Sequence, residues 1–369
     1  MPEIKKDFSL ARQKRALVLL EWCVGFRPAG SVWVLLLALR GYSLVEIGLA
    51  EAVFHVVSLC CELPSGLLAD VLGRKRTLIA SQGMFLLSAL LIIAFDSRAG
   101  VYLSLGVHAM AFNLISGTRE AITYESMLQA GQEGAYLKFS SLQNGIYRFS
   151  DGGAMLLAGA TVLLGWRTAY LLDALIALIG LGAALSLVEP VCADRENVNL
   201  TSLPDALKDT VCGAWELLRT DGTAVRIMLV NALVGACATL TGFFLQQRVQ
   251  EAVTAPALLG PALFVLGLGG GLAGLVTGKL DKLPYARAAA LTGTGVLLCA
   301  LAARGTFLPV LMVSGLAAGL LDDALQLVSD KRLNDRFPSA QRATLVSVSS
   351  MAFSVFMIPL SPLFGWFFS

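Results

Sequence analysis

Eleven long apolar runs follow one another along the chain, separated by short polar breaks. They cover residues 16–39, 44–68, 77–95, 101–128, 139–164 and 168–188, then 227–247, 258–277, 288–302, 307–328 and 343–368. A bilayer-crossing helix needs about 20 mostly apolar residues at about 1.5 Å rise each. With no water in the hydrocarbon, each run must satisfy its own backbone N–H and C=O groups, which a helix does. The pattern predicts an all-α polytopic membrane protein with six spans, a polar linker and five more spans. A water-soluble α/β enzyme is excluded by the balance of residues. The 369 residues are 56% hydrophobic and only 15% charged, and mean hydropathy is +0.72, too apolar to clothe a water-facing surface.

Loop charge orients the spans. With the N-terminus in the cytoplasm, the inner segments hold 20 of the 28 Lys and Arg residues, and the outer loops hold Arg40, Arg98, Arg167, Arg248 and Arg304. Arg27, Arg119 and Arg148 lie within spans. Such alternation follows the positive-inside rule, and a merged or split span would scramble it downstream. The basic N-terminus ahead of an apolar run resembles a secretory leader, but Glu21 and Arg27 interrupt that run and no Ala-x-Ala-like exit follows. It reads as a retained first span. The expected location is the cytoplasmic (inner) membrane of a bacterium. Residues 1–188 form one expected bundle, 189–222 a cytoplasmic linker and 223–369 a second bundle. In the linker, 203–218 predicts an amphipathic surface helix with Ser202 as N-cap and Pro204 in its first turn.

Several functions find no support. No basic patch interleaved with aromatics points to nucleic acid. The seven cysteines, Cys23, Cys60, Cys61, Cys192, Cys212, Cys237 and Cys299, show no zinc spacing and no disulfide framework. Glycine strings near Gly267–Gly278 are followed by no Lys-Ser/Thr and preceded by no strand, so ATP-driven transport has no nucleotide loop. They read as small-residue packing stripes, expected against the fifth span or another interface helix. His55 and His108 are the only histidines and neither has a nucleophile placed with it. No cofactor, metal site or enzymatic constellation is expected.

The segment Gly66-Leu-Leu-Ala-Asp70-Val-Leu-Gly73-Arg74-Lys75-Arg76 lies between the second and third spans. Gly66 is expected to allow close helix approach and Gly73 a tight turn, since neither has a Cβ. Asp70 is a carboxylate at the membrane edge, suited to a helix N-terminus or a cation. An ordinary positive-inside loop accounts for Arg74 and Lys75 but not for the Gly–Asp–Gly spacing. The segment closely resembles the cytoplasmic loop of the major facilitator superfamily (MFS) of secondary transporters, G-x-L-x-D-x-x-G-R-K/R. Gly278-Lys279-Leu280-Asp281 resembles the weakened copy in that family's second half, one residue short and lacking the second Gly. Leu333-Asn334 with Arg342-Ala-Thr, and Gly165-Trp166-Arg167, resemble the starts of its eleventh and sixth spans.

The resemblance implies two pseudo-symmetric bundles around a central cavity, with alternating access by rocking. It implies that Asp70 meets the N-terminal end of the eleventh span near residues 339–341, and Glu125 is expected to pair with Arg74. The sequence given ends at Ser369, just after the eleventh span, whereas most members have twelve. A lost helix, a trimmed chain or a hidden span are the three readings. The family's antiporter motif is absent, since Gly152-Gly153 occurs without its proline.

Charges inside spans cost roughly 2.5–3.5 kcal/mol each on insertion scales and normally face a cavity or one another. Three stripes of helical period stand out: Glu51, His55, Ser58 and Glu62; Asn113, Gly117, Glu120 and Tyr124; Ser140, Asn144, Arg148 and Asp151. They predict three helices that each turn one face to a common wet interior. Counting along the helices puts Arg27, His55, Arg148 and Asp151 near mid-membrane, where the family places substrate and ion sites. Glu21, Glu62, Arg119, Glu120, Asp322 and Asp323 fall nearer the cytoplasm. Glu62, Glu125 and Asp281 are assigned to a gate network beside the loop. Glu21, Arg27, His55, Arg119, Glu120, Arg148 and Asp151 are assigned to a substrate and proton pathway. Arg148 and Asp151 at i, i+3 either neutralise each other or serve the solute, and His55 is either a satisfied core histidine or a titrating group. Arg119 is expected to face another span rather than its neighbour Glu120, and the Asp322–Asp323 pair is expected to be structural.

The expected activity is secondary transport of a small organic solute, coupled to protons. A multidrug or lipid exporter is the alternative, and a non-transporting sensor on the same fold the second. The arginines among the candidates favour an anionic or zwitterionic solute over a cation. The expected partners are that solute, protons and the lipid bilayer, and the oligomeric state is not legible.

Overall fold

The computed structural model describes residues 8–191, 208, 212, 219, 221–337 and 342–369, and all eleven apolar runs are helical. The first six are built from α1 (Leu10–Gly25), α2 (Trp33–Leu39), α3 (Leu44–Leu72), α4 (Arg74–Ala94), α5 (Arg98–Ile115), α6 (Thr118–Gln129), α7 (Tyr136–Leu156), α8 (Ala158–Leu164) and α9 (Trp166–Ser186). The last five are α10 (Gly222–Ala252), α11 (Pro256–Gly271), α12 (Gly274–Leu280), α13 (Tyr285–Ala302), α14 (Leu308–Asn334) and α15 (Arg342–Phe368). No strand occurs among the described residues. Among the described residues, ten helical stretches are long and apolar enough to cross a membrane. The fifth run, α7 with α8, is not among them and carries Gln143, Asn144, Arg148 and Asp151 in its middle. The expected linker helix over 203–218 lies outside the described residues, apart from Lys208 and Cys212, which are helical.

Four runs read as continuous are broken. The first stops at Gly25 and resumes through a short 3-10 turn at Gly30–Val32. Pro28 lacks an N–H and disfavours the α conformation at Arg27, so the break sits where the sequence forces it. The fourth breaks at Gly117, whose φ is +72°. The fifth breaks at Leu157 and the eighth at Leu272–Ala273, after three consecutive glycines. The break at Gly117 corrects one expected stripe, since a helix interrupted there does not carry Asn113, Glu120 and Tyr124 on one line. Asn113 is buried, while Gly117, Glu120 and Tyr124 are exposed.

The chain forms two compact units. One comprises Met1–Ser31, Cys60–Ala154 and Arg167–Asp209, the other Val32–Leu59, Met155–Trp166 and Thr210–Ser369. The first unit packs α4 along α5 around Leu17, Leu20, Leu78, Phe85, Ile115, Ile122 and Met127. In the second, α10 and α14 form the centre, with α8 against α11 and α2 against α10. Segments that belong by sequence to the first, second and fifth runs thus pack with the last five. Lipid tails give no hydrophobic drive between helices, so such packing rests on close backbone approach. A Cβ on Gly260 or Gly159 would collide with the carbonyl of Leu156 or Pro256, and one on Gly48 or Gly365 with that of Ser361 or Leu44. These four glycines carry the close contacts. Of the expected stripe, Gly267 meets Met155 on the fifth run, whereas Gly271, Gly274 and Gly278 have open space.

Candidate functional site

The loop between α3 and α4 is built on Gly73. Its φ of +95° with ψ of 151° lies in a region open essentially to glycine, and a Cβ there would lie 2.9 Å from the Glu189 carboxylate. Glu189 accepts the backbone N–H groups of Arg74 and Lys75, both at 2.7 Å. A carboxylate thus sits on the positive N-terminal end of α4, where two amides have no intrahelical partner. Arg74 donates to Asp70 at 2.6 Å and to Glu125 at 3.2 Å, so the expected Glu125 pair is present. Nothing in the local sequence of Glu189, just before Pro190 at the end of the sixth run, ties it to a loop 115 residues away. Gly66 departs from expectation, since no atom lies within 4 Å of where its Cβ would be. The helix end expected to meet Asp70, at residues 339–341, lies outside the described residues. Substituting Gly73 by Ala is expected to cost about 1–3 kcal/mol from backbone strain, read as a lower unfolding temperature in detergent. An unchanged temperature would mean the turn relaxes.

The other expected gate residues are placed differently. Glu62 is half-buried on α3, its carbonyl accepting the Ser65 hydroxyl. Asp281 belongs to the second unit, where Lys331 donates to its carboxylate at 2.5 Å and Arg332 to the carbonyls of Asp281 and Leu283. The Lys331 hydrogen bond holds the Asp281 carboxyl below the ordinary carboxylate range. A depressed carboxyl contributes stability above its unfolded value, near pH 4, and loses it as pH falls through the folded one. Asp281→Asn is therefore expected to unfold at a lower temperature than wild type at neutral pH, the difference closing in acid below about pH 4. A difference that persists in acid would contradict this.

The most buried charged group of the candidate pathway is Glu21 on α1, 1% exposed. Arg119 donates to one of its oxygens at 2.9 Å and Gln143 on α7 to the other at 3.2 Å. The same guanidinium also grips Glu120 at 2.7 Å. This corrects the expectation that Arg119 does not face its neighbour. Both residues lie in the first turn of α6, just after the break at Gly117, and the long arginine folds back to the Glu120 carboxylate while still reaching Glu21. Glu120 is 45% exposed, so the cluster runs from a buried acid through a shared cation to an accessible acid.

Arg27, in the break of the first run, is held by groups the sequence reading did not connect to it. Its Nη1 lies 2.9 Å from His108 Nε2, its guanidinium stacks over Phe85 at 4.8 Å, and its Nε lies 3.8 Å from the Asp173 carboxylate. Asp173 also accepts the backbone N–H groups of Ala29 and Gly30 at 3.0 and 2.9 Å, the first free amides of the resumed helix. A lone carboxylate in the apolar sixth run was the available signal for Asp173, and His108 gave none beyond its rarity.

The remaining candidates do not share one face. Asp151 accepts from Ser31 at 3.2 Å, and Asn144 and Arg148 are exposed. His55 is buried in the second unit, its Nε2 3.2 Å from Glu51 and its Nδ1 3.1 Å from Ser354 on α15, with Phe353 edge-on to the ring. A neutral imidazole satisfies both contacts, Nε2–H donating to the carboxylate and the serine hydroxyl donating to Nδ1. Glu51, His55 and Ser58 are buried, so this stripe packs against protein rather than facing a wet interior. No group of three metal-ligating side chains occurs among the described residues.

A sequence profile of the Major Facilitator Superfamily matches residues 25–358. A curated relative, the uncharacterised MFS-type transporter YxaM of Bacillus subtilis (strain 168), is 34% identical over 89 residues, 24% of this chain and only 22% of the relative. Among solved structures, the nucleoside transporter NupG superposes with a TM-score of 0.76 at 13% identity, covering 97% of this chain and 91% of that one. A D-xylose-proton symporter superposes with a TM-score of 0.66 at 12% identity, covering 96% and 88%. At these identities the structural likeness is one of fold.

Proposed function

Because the chain belongs to the major facilitator superfamily, we propose that this transporter couples the movement of a small organic solute to protons, with Glu21 as the proton-carrying acid. The observation that carries the reading is the buried Glu21 held between Arg119 and Gln143. A carboxylate taken out of water is tolerated when a cation faces it. If Arg119 turns instead to the exposed Glu120 or to solute, Glu21 loses its counter-charge and favours the protonated form. The moving halves are residues 1–188 and 223–369, joined through 189–222, and the membrane is the cytoplasmic membrane with the N-terminus inside.

Arg27 and Arg119 both face carboxylates of the protein, so neither presents an unopposed positive charge to a solute. That favours a neutral polar or zwitterionic solute. The nucleoside and D-xylose named for the structural neighbours are neutral polar solutes of this kind. The test is solute-induced proton flux in liposomes holding the purified protein, across nucleosides, pentoses, amino acids and lipophilic cations. Proton movement with a polar solute supports the reading. Flux with lipophilic cations alone favours multidrug export instead, and binding without flux favours a sensor.

A further inference from the structure

Beside Arg27 lies a cavity of about 10 Å³, lined among others by Arg27, Gln82, Asp173, Cys23 and Phe85. That is about the least space that holds one water. Gln82, on α4, is 1% exposed, and its Nε2 is a buried donor with no hydrogen-bond partner among the described residues. Across the same cavity, Arg27 Nε and Asp173 Oδ2 stand 3.8 Å apart, an oppositely charged pair just beyond direct hydrogen-bond reach and close enough for one water to touch both.

We propose that a single ordered water occupies this cavity as a fixed part of the fold. It accepts from the Gln82 amide N–H and from Arg27 Nε–H and donates to the Asp173 carboxylate, the three bonds typical of a buried water. Each partner has capacity for it. Among the described residues, Asp173 accepts two backbone N–H groups, from Ala29 and Gly30, and an ionised carboxylate has about four acceptor positions. The two terminal nitrogens of Arg27 face the His108 ring, leaving Nε–H to point at the cavity. A cation is disfavoured by the guanidinium, an anion by the carboxylate, and a solute by the volume. The water joins the break in the first run to α4 and α9, so the kink that carries Arg27 is tied on three sides without a direct hydrogen bond between the two charges.

The experiment is a density map of the full chain at a resolution where ordered waters are visible elsewhere in the protein, for wild type and Gln82→Met. The expected result is a peak within hydrogen-bond distance of Gln82 Nε2, Arg27 Nε and Asp173 in the wild type. In Gln82→Met the peak is lost and the unfolding temperature falls. Removing an unsatisfied buried amide from a dry site has the opposite effect, because an orphan donor is itself destabilising. A map without the peak, or a Gln82→Met protein that unfolds at a higher temperature, would overturn the proposal.

Discussion

Replacing Arg119 with alanine is expected to destabilise the protein by about 3 kcal/mol and to abolish solute uptake. Glu21 is 1% exposed, and removing its cation leaves a buried carboxylate facing the Gln143 amide. Stranding one partner of a buried ion pair costs about 3–5 kcal/mol. The lower end applies because the Arg119 side chain is 20% exposed and water reaches part of the site. The cost lies in the stranded charge rather than in lost attraction, so the Glu21→Gln, Arg119→Ala double variant is expected to regain most of the stability. Unfolding temperatures of the four proteins in one detergent give the coupling directly. If the two single effects simply add, the pair is not acting as a unit.

The second large effect is expected at the backbone contacts of the second unit. Even a Cβ on Gly260 would strike the Leu156 carbonyl, and one on Gly159 the Pro256 carbonyl. Leucine at either position overpacks the contact between α8 and α11 by about 1–3 kcal/mol. In a transporter that alternates between conformations, the penalty falls on the conformation that makes this contact. A shift of about 1.4 kcal/mol changes its population tenfold relative to the others. Uptake by Gly260→Leu and Gly159→Leu is therefore expected to fall about tenfold or more, with folded, monodisperse protein still recovered. Wild-type uptake in both variants would mean that this contact does not have to form during transport.

The legible part of the molecule is what depends on local chemistry. Span positions followed from apolar runs, because lipid leaves the backbone no other partner. The turn at Gly73 and the Arg74–Glu125 pair followed from residue type and depth. The run breaks were legible only where a residue enforces one, as Pro28 does. The break at Leu157 has no such marker, and its cause is tertiary. The pairings were the least legible, because Glu189 with the start of α4, Asp173 with Ala29 and Gly30, and Arg27 with His108 join residues far apart in sequence. Periodicity also overreached. It marked Glu51, His55 and Ser58 as one face of α3, which they are, but could not say whether that face meets water or α15.

Glu21 is the residue on which the account turns, and Glu21→Gln separates proton coupling from solute movement. In liposomes holding the purified protein, a transported solute is followed in two modes: accumulation driven by an imposed pH gradient, and exchange of labelled for unlabelled solute with no gradient. Glu21→Gln is expected to lose gradient-driven accumulation while exchange continues, since a carrier that no longer releases its proton can still shuttle loaded. Accumulation at the wild-type level in Glu21→Gln would contradict it.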